Sequence, residues 1–346
     1  MRKLLNTLYL QTEGLYLGRD GDTVDVRQDG KTLRRFPIHT LDAVVCFGRV
    51  GASPALMGLC GEAGVGLTFL SEHGRFRARV VGRTQGNVLL RREQYRRADC
   101  PRASADLTRA FVSAKIANAR TVLLRGARRD GSGAESGIGD ALSGAALRLA
   151  YILRALPAAP DVDTLRGREG EAAAVYFGVY GALLCPADDA LRFTTRNRRP
   201  PRDAANALLS FLYTLLRTEC AAACEAVGLD PCVGFLHRDR PGRESLALDL
   251  MEELRPVLAD RLAATLINRG QVKARGFTTE DGGGVTMDDK TRKTVLTAWQ
   301  ERKREELTHP FLSEKCPLGL LPHLQAMLLA RHLRGDLDGY PPFVWK

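Results

Sequence analysis

The chain has 346 residues, 45% of them hydrophobic, so it is long enough for two domains with substantial cores. No run approaches the roughly 20 consecutive apolar residues of a membrane helix, and the first residues do not resemble a signal peptide, so we predict no membrane partner. The formal net charge of +11 favours nucleic acid as the partner over an acidic membrane surface, although codon usage could account for part of the arginine excess.

The cysteines give no indication of a metal cluster. None of the eight forms a Cys-x-x-Cys pair, and most lie in apolar stretches, so we interpret them as buried thiols rather than zinc ligands. Free thiols are typical of a reducing compartment, which predicts a cytoplasmic protein. The cysteines are Cys46, Cys60, Cys100, Cys185, Cys220, Cys224, Cys232 and Cys316.

Residues 1–88 are predicted to form a small β-rich domain. Short apolar or alternating stretches, such as residues 15–17 and 23–26, are separated by turn sequences at 19–22 and 28–31 that are typical of hairpins. One short helix interrupts the strands. The segment 89–101 is predicted to be a linker.

The linker contains a basic cluster with an aromatic residue in it: Tyr95 with Arg91, Arg92, Arg96 and Arg97. Two interpretations are equally open, a solvated face of the linker and a strip that contacts phosphates.

After Pro101 the apolar residues recur at helical spacing, so residues 102–346 are predicted to form a larger all-α domain. The predicted helices cover residues 105–127, 141–156, 163–185, 202–226, 244–268, 290–306 and 317–335. No internal repeat is present. The sequence therefore predicts an α+β protein in which a β-rich N-terminal domain precedes a helical one.

The segment 231–237 is an apolar run that ends in His237, and a helix follows it after a basic loop. On that helix Asp249 and Glu252 stand three residues apart, so both carboxylates project from one face. Imidazole nitrogen and carboxylate oxygen suit a divalent cation such as Mn²⁺ or Mg²⁺. These residues alone slightly favour a second interpretation, in which the histidine is structural and the carboxylates pair with Arg255 on a solvated face.

A further carboxylate, Glu169, is followed by Gly170 within a predicted helix. A glycine inside a helix costs roughly 1 kcal/mol relative to alanine, so Gly170 indicates close approach by another chain or a ligand. Taken alone, the pattern favours the simpler interpretation of an exposed glutamate near a helix start, where the helix dipole stabilises it.

Two arginine-rich segments are candidates for contacting DNA phosphates. Residues 194–203 are stiffened by two prolines and lead into a helix, and the loop 238–243 holds three arginines. For the first segment, the alternative is that its arginines cap helices or pair with the nearby Asp188 and Asp189. The predicted DNA contacts are Arg196, Arg198, Arg199, Arg238 and Arg240.

Several blocks occur together and in a definite order. They are Arg-Gly-Arg-Glu-Gly at 166–170, Arg-Asn-Arg-Arg-Pro-Pro at 196–201, Asn-Ala-Leu-Leu-Ser-Phe at 206–211, Gly-Phe-Leu-His at 234–237, Ser-Leu-Ala-Leu-Asp-Leu-Met-Glu-Glu-Leu-Arg-Pro at 245–256, and the terminal Tyr-Pro-Pro-Phe-Val-Trp-Lys. Over essentially the whole chain this pattern resembles the CRISPR-associated (Cas) endonuclease and integrase of spacer acquisition. That is the first-numbered Cas family, and the chain is most similar to its type I-C branch.

The resemblance implies that Glu169, His237 and Glu252 bind a divalent metal, Mg²⁺ or Mn²⁺, with Asp249 as a nearby acidic helper in the catalytic site. It also implies a β-sandwich-like N-terminal domain used in dimerisation, a helical catalytic domain, and a homodimer bridged by a small ferredoxin-like companion protein. The expected reaction inserts double-stranded spacer precursor DNA into a repeat array by 3′-hydroxyl attack on phosphodiesters, with nuclease activity at the same site.

Two departures from the family pattern are visible, Arg-Asp-Ala-Ala at 202–205 and three glycines at 282–284, and neither involves the expected ligands. Two other functions remain open. The first is a structure-selective DNA nuclease of repair that uses the same ligands with water. The second is a non-catalytic nucleic-acid-binding scaffold in which the carboxylates are structural.

Overall fold

The computed structural model describes residues 6–74, 76–82, 88–130 and 137–345, and its contacts divide the chain into two units. The first unit comprises residues 6–82 together with Met287–Glu305, and the second comprises residues 88–286 and 306–345.

The elements are named in chain order. The strands are β1 (Thr7–Leu10), β2 (Leu15–Asp20), β3 (Thr23–Gln28), β4 (Lys31–Pro37), β5 (Ala43–Phe47), β6 (Gly51–Ala52), β7 (Gly66–Leu70), β8 (Phe76–Val80), β9 (Phe277–Thr279), β10 (Val285–Met287), β11 (Glu306–Thr308) and β12 (Lys315–Pro317). The helices are α1 (Pro54–Ala63), α2 (Val88–Asp99), α3 (Pro101–Asp130), α4 (Ile138–Ala155), α5 (Val162–Tyr180), α6 (Ala204–Ala226), α7 (Ser245–Leu254), α8 (Arg261–Asn268), α9 (Asp289–Arg304) and α10 (Leu321–Arg334).

The first unit contains two four-stranded sheets. In one sheet, ordered β1-β5-β7-β8, the first three strands are parallel and β8 is antiparallel to β7. The other is ordered β4-β3-β2-β6, and its β2-β3 and β3-β4 pairs are the two predicted hairpins, which are confirmed. The β3-β4 turn places Asp29 and Gly30 at φ values of 50° and 78°, in the left-handed region that glycine and aspartate adopt most readily.

One hydrophobic core joins both sheets of the first unit. Leu17 and Val24 from one sheet, Val44 and Leu67 from the other, and Leu56 from α1 are all fully buried in it. Two sheets that share a core are sandwich-like, as predicted. Helix α9 also belongs to this unit, although the sequence placed it in the helical domain.

Contacts at both ends of α9 explain this position. The Arg292 guanidinium lies 5.5 Å from the centre of the Phe47 ring, and the Lys303 Nζ donates to the Thr7 Oγ1 at 3.4 Å. Between them, Trp299 is fully buried.

The second unit is built around α3, which packs against α2, α4, α5 and α7. Its apolar stripe, including Phe111 and Ile116, is buried, which accounts for the helical periodicity of this stretch. Helix α6 is long and apolar enough to cross a membrane by length and composition, but 61% of its most apolar window is buried inside the protein. It is a core helix.

The predicted α+β class is confirmed, but the stretch predicted to be all-α also contains two short two-stranded sheets, β9-β10 and β11-β12, among its described residues. Besides α9, the structure differs from the sequence-based boundaries in two places. Residues 89–101 form α2 and the start of α3 rather than a linker. The predicted helix 244–268 is divided by a π-helical segment, Arg255–Asp260, which begins one residue before Pro256. Proline has no backbone N–H and its ring crowds the preceding turn. The backbone hydrogen bonds therefore change from the α-helical to the π-helical pattern at this point. The role of the first unit in dimerisation stays a prediction.

Candidate metal and DNA site

The buried carboxylate of Asp249 organises the loop that precedes α7. It accepts hydrogen bonds from the backbone N–H groups of Phe235 at 2.6 Å, Leu236 at 3.0 Å and His237 at 3.0 Å. These N–H groups therefore bind a side chain instead of a neighbouring strand, and the apolar run is a loop. Gly234 is required because a Cβ there would lie 2.8 Å from the Asp249 Oδ2.

Asp249 also orients the imidazole of His237. The Nδ1 of His237 lies 2.7 Å from the Asp249 Oδ1. An ionised carboxylate only accepts hydrogen bonds, so Nδ1 carries the proton and Nε2 keeps a free lone pair. That Nε2 lies 3.9 Å from the Glu252 Oε1. A carboxylate behind a histidine is the arrangement that orients metal-binding imidazoles.

Helix α5 brings Glu169 to the same place. Arg166, one turn earlier on α5, donates to the Leu236 carbonyl from Nε at 3.0 Å and from Nη2 at 2.8 Å, which fastens the helix to the histidine loop. Gly170 is exposed, and a Cβ added there would have no atom within 4 Å. The fold itself therefore does not demand this glycine, and the helix surface beside Glu169 is open.

Lys115 of α3 lies between the two predicted metal-binding glutamates. Its Nζ forms a close ion pair with the Glu169 Oε1 and lies 2.6 Å from the Glu252 Oε2. Burial alone would lower the pKa of Lys115, but attraction by Glu252 and Glu169 outweighs it and raises the pKa. The ammonium therefore remains charged and bridges the two carboxylates.

Glu252 is held by a second cation as well. The Arg255 Nη1 lies 2.7 Å from its Oε1, and the Glu252 side chain is only 3% exposed. Burial by itself would raise the pKa of Glu252, but Arg255 and Lys115 together bring it below its ordinary value. The pairing with Arg255 considered from the sequence thus exists, but it is buried rather than on a solvated face.

The donor atoms fit a divalent metal, with one condition. The Glu252 Oε2 is buried and has no aligned hydrogen-bond donor, although the ammonium of Lys115 is close to it. Together with Glu169 and the free Nε2 of His237 it offers the oxygen and nitrogen ligands that Mg²⁺ and Mn²⁺ accept. In the described part of the chain, however, no three His, Cys, Asp or Glu side chains stand ready to hold a metal. Lys115 separates Glu169 from Glu252.

A group of arginines lies near this centre. Burial lowers the pKa of Arg243, and repulsion from Arg240, Arg199 and Arg166 lowers it further, so these guanidinium groups lie close enough to repel one another. Arg198, Arg199 and Arg240 are exposed, whereas Arg238 pairs with the Asp163 carboxylate at 2.9 Å on the surface. We call Arg199, Arg240 and Arg243, together with Arg198 as the exposed sequence neighbour of Arg199, the arginine rim.

Arg196 differs from the rim because it points inward. Its Nη1 donates to the Asn206 Oδ1 at 2.7 Å, and its guanidinium lies 5.3 Å from the centre of the Tyr213 ring. Arg196 does not make the alternative pairing with Asp188 and Asp189, since Asp188 caps a short 3₁₀ turn and Asp189 pairs with Arg192. The DNA contacts of all five predicted arginines stay predictions.

Comparison with known proteins decides the family. The profile described as "CRISPR associated protein Cas1" matches residues 8–301. A protein of Rhodospirillum rubrum named CRISPR-associated endonuclease Cas1 2 is 55% identical over 347 aligned residues, which cover 100% of both chains. This chain belongs to the Cas1 family.

Solved structures with lower identity share the fold. A casposase bound to its integration product has a TM-score of 0.83 at 19% identity, covering 99% of this chain and 94% of its own. A Cas6-RT-Cas1–Cas2 complex gives a TM-score of 0.81 at 23% identity, covering 99% of this chain and 36% of the other. The Cas1 resemblance drawn from the motifs is confirmed, and the type I-C branch stays a prediction.

The structure brings the four predicted site residues of this Cas1 family member together: Glu169, His237, Asp249 and Glu252. Sequence reasoning missed Lys115, and it considered Arg255 only as a surface partner. One feature of the sequence could have indicated Lys115. It is a single lysine within the apolar stretch of α3, between Ala114 and Ile116, which are both buried. A cation at such a position needs a buried anionic partner.

Proposed function

We propose that this Cas1 family member is a metal-dependent DNA endonuclease and integrase that inserts new spacer DNA into a repeat array. One observation carries the proposal. The carboxylates of Glu169 and Glu252 both contact Lys115, and the Nε2 of His237 lies 3.9 Å from the Glu252 Oε1.

Glu169, His237 and Glu252 would hold the metal, Mg²⁺ or Mn²⁺. When bound, such an ion stabilises the charge that develops on the phosphate and favours ionisation of the attacking hydroxyl. Asp249 keeps the Nδ1 of His237 protonated, so that Nε2 remains a ligand. Arg255 keeps Glu252 ionised despite its burial.

In the proposed strand transfer, the 3′-oxygen of the spacer strand attacks a phosphorus of the repeat. A new P–O bond forms to that oxygen while the bond from phosphorus to the repeat's own 3′-oxygen breaks. The attacking hydroxyl loses its proton and the departing 3′-oxygen gains one, so one phosphodiester replaces another. With water as the attacking group, the same exchange is strand cleavage.

The proposed DNA contact depends on charge rather than base identity. Arg198, Arg199 and Arg240 are exposed on the rim of the site, and guanidinium groups pair with backbone phosphates of any sequence. The open surface beside Gly170 leaves room for a DNA strand to approach Glu169. Such tolerance suits spacer DNA, whose sequence varies.

The proposed partners follow from proteins of the same fold. One of these proteins is bound to its integration product, and another is part of a complex of Cas1 with Cas2. We propose that this chain likewise works on DNA and with a Cas2-type companion. A ferredoxin-like form of that companion, a homodimer and a cytoplasmic location are parts of the same proposal.

The test is a joining assay with the full chain and its companion protein. A 3′-end-labelled duplex is incubated with a repeat-containing plasmid and Mn²⁺, with Glu169→Gln as the negative control. Label joined at the repeat supports the integrase. Plasmid nicking without joining indicates the repair nuclease, and DNA binding without either reaction indicates the scaffold.

A further inference from the structure

The cation between Glu169 and Glu252 is supplied by the protein itself. Lys115 contacts both carboxylates, and its side chain is 12% exposed against 22% for Glu169 and 3% for Glu252. Arg255, by contrast, contacts Glu252 on its other oxygen, Oε1. Lys115 is therefore the cation placed between the two glutamates.

We propose that Lys115 is a displaceable internal cation, which holds Glu169 and Glu252 together in the metal-free site and leaves this position when the two carboxylates bind a divalent metal. This inference rests on the proposed function, because it concerns how the same site becomes loaded.

Electrostatic repulsion explains why Lys115 must leave its position when a metal ion binds between Glu169 and Glu252. Two ionised carboxylates that share a largely buried space repel each other, and a cation between them removes that repulsion. An ammonium and a divalent ion cannot both lie between the same oxygens because they repel each other and compete for the same lone pairs. Metal binding must therefore break the Lys115 ion pairs, which lowers the metal affinity relative to a site without the lysine.

The surroundings of Lys115 give its side chain space to withdraw. A small pocket of about 20 Å³, enough for one water-sized group such as an ammonium, adjoins it and is lined also by Ile116, Ala173, Tyr176 and Tyr213. Arg255 can stay on the Glu252 Oε1 during the exchange, because it does not occupy the oxygen that Lys115 contacts. The Glu252 carboxylate thus keeps one cationic partner in both states.

The test compares Lys115→Met with Lys273→Met, a matched control on an exposed lysine of the same unit. Mn²⁺ affinity is measured by titration calorimetry, and the melting temperature is measured in chelator and in saturating Mn²⁺. We expect Lys115→Met to bind Mn²⁺ about tenfold more tightly than the wild type, on the scale typical of coupling between two ligands. In chelator, the melting temperature of Lys115→Met should be below that of Lys273→Met. Saturating Mn²⁺ should raise the melting temperature of Lys115→Met by more than that of Lys273→Met.

Unchanged or weaker Mn²⁺ binding by Lys115→Met, with binding by the wild type intact, overturns the proposal and leaves the proposed function standing. If the wild type binds no Mn²⁺, and Glu169→Gln has the same thermogram, the metal site of the proposed function itself fails.

A measurement on the wild type covers the case in which Lys115→Met does not fold. The side-chain ammonium of Lys115 is observed by NMR in ¹⁵N-lysine-labelled protein and assigned with Lys115→Arg. Titration with diamagnetic Mg²⁺ should move this signal with the same midpoint as a calorimetric titration of the wild type with Mg²⁺. A signal that stays fixed at saturating Mg²⁺ shows that the ion pairs persist, and the proposal is wrong.

Discussion

Two neighbouring carboxylates on α7 have opposite surroundings. Glu252 faces cations: Lys115 lies 2.6 Å from one of its oxygens and Arg255 lies 2.7 Å from the other. Glu253 points into a pocket of neutral donors, where the Phe343 N–H donates at 2.6 Å and Gln325 donates at 3.2 Å.

The neutral pocket holds the C-terminal segment of the chain. The Tyr340 hydroxyl makes a close hydrogen bond to Glu253. One turn beyond Lys115, Asn118 donates to the carbonyls of Glu253 at 2.7 Å and Phe343 at 2.9 Å. Burial raises the pKa of Glu253 to about 7, and the hydrogen bonds from Tyr340 and Phe343 only partly oppose that rise.

The difference shows what a buried carboxylate needs in order to be reactive. Glu252 remains ionised because cations surround it, and a cation can be exchanged for another cation. Glu253 is held by neutral hydrogen-bond donors, which a metal ion cannot replace. It therefore fixes the C-terminal segment against α7 and α3. Hydrogen bonds to neutral donors make it structural, and its neighbour is the one positioned for chemistry.

The largest effect should separate the two residues by function. Glu252→Gln and Glu169→Gln should each reduce strand transfer by more than about 100-fold, the scale of a misplaced reacting group, and His237→Ala should do the same. Glu253→Gln, an identical change one residue away, should keep most of the activity. The measurement is the joining assay, with melting temperatures to confirm folding. An active Glu252→Gln, or a folded but inactive Glu253→Gln, contradicts the assignment.

The second prediction concerns stability, for which Glu253 should matter more than it does for activity. Glu253→Ala leaves the Tyr340 hydroxyl and the Phe343 N–H without their acceptor, while the Gln325 amide keeps its contacts to Tyr340 and Pro341. Because a buried unpaired donor costs about 1–3 kcal/mol, the free energy of unfolding should fall by roughly 3 kcal/mol or more. Glu253→Gln keeps one acceptor oxygen and should lose less than half of that. Urea unfolding at pH 8 measures both, and equal losses would contradict the role given to these hydrogen bonds.

The surroundings of Asp260 combine those of Glu252 and Glu253. It accepts a hydrogen bond from the neutral Tyr213 hydroxyl at 2.6 Å and is also attracted by the cation of Arg255. Burial is the largest influence and raises its pKa from 3.8 to about 6. The folded state then holds this proton more tightly than the unfolded state. Its contribution to stability is present below about pH 4 and is lost as pH rises towards about 6.

Asp260→Asn removes that titration. Relative to the wild type, its free energy of unfolding should improve by up to about 3 kcal/mol between about pH 4 and about pH 7, since each pKa unit corresponds to ~1.4 kcal/mol. Chemical unfolding at several pH values measures the difference. A difference that stays constant over this range would show that Asp260 is ionised in the folded protein even at the lowest pH.

Much of the fold could be predicted because its signals are local. The period of the apolar residues changes near Pro101, and the turns around Gly21 and Gly30 mark hairpins. The membership of α9 in the first unit could not be predicted, because the contacts of Arg292 and Lys303 join residues more than 200 positions apart in the chain.

The candidate site was predictable where spacing along one helix sufficed, as for Asp249 and Glu252. The roles of Lys115 and Arg196 were not, because each depends on a partner from a distant or folded-back segment. Lys115 meets Glu169 and Glu252 only after three helices pack together. Arg196 was expected on a DNA-facing strand, but Asn206 offers it an acceptor inside the protein.

The fourth prediction concerns Asp249, which in the proposed site would act on the metal only through His237. Asp249→Asn should lower Mn²⁺ affinity by about 10–100-fold, as is usual when the partner of a ligating histidine is changed. Its strand transfer should fall less than that of Glu252→Gln. Excess Mn²⁺ should restore part of its activity, whereas a variant impaired only by loop unfolding would not recover. Calorimetry and the joining assay at several Mn²⁺ concentrations measure this.

The smallest effect extends the comparison from carboxylates to arginines. Arg196 has its charge engaged by Asn206 and the Tyr213 ring, while Arg198 and Arg199 are exposed. The buried contacts of Arg196 stabilise the fold. The exposed charges of Arg198 and Arg199 can instead bind DNA phosphates and release their counterions. The Arg198→Ala/Arg199→Ala double variant should therefore reduce the logarithmic salt slope of DNA binding by roughly one to two, equally for unrelated sequences, without changing the melting temperature.

Arg196→Ala is the matched control and should do the opposite. It should lower the melting temperature, because the Asn206 Oδ1 loses one of its two donors and the Tyr213 ring loses its cation, and leave the salt slope unchanged. Metal affinity should stay constant in both variants, since their side chains do not contact Glu169, His237 or Glu252 in the described structure. If Arg196→Ala flattens the slope while the double variant does not, the inward arginine is the DNA contact, and the distinction between engaged and available charges fails for this segment.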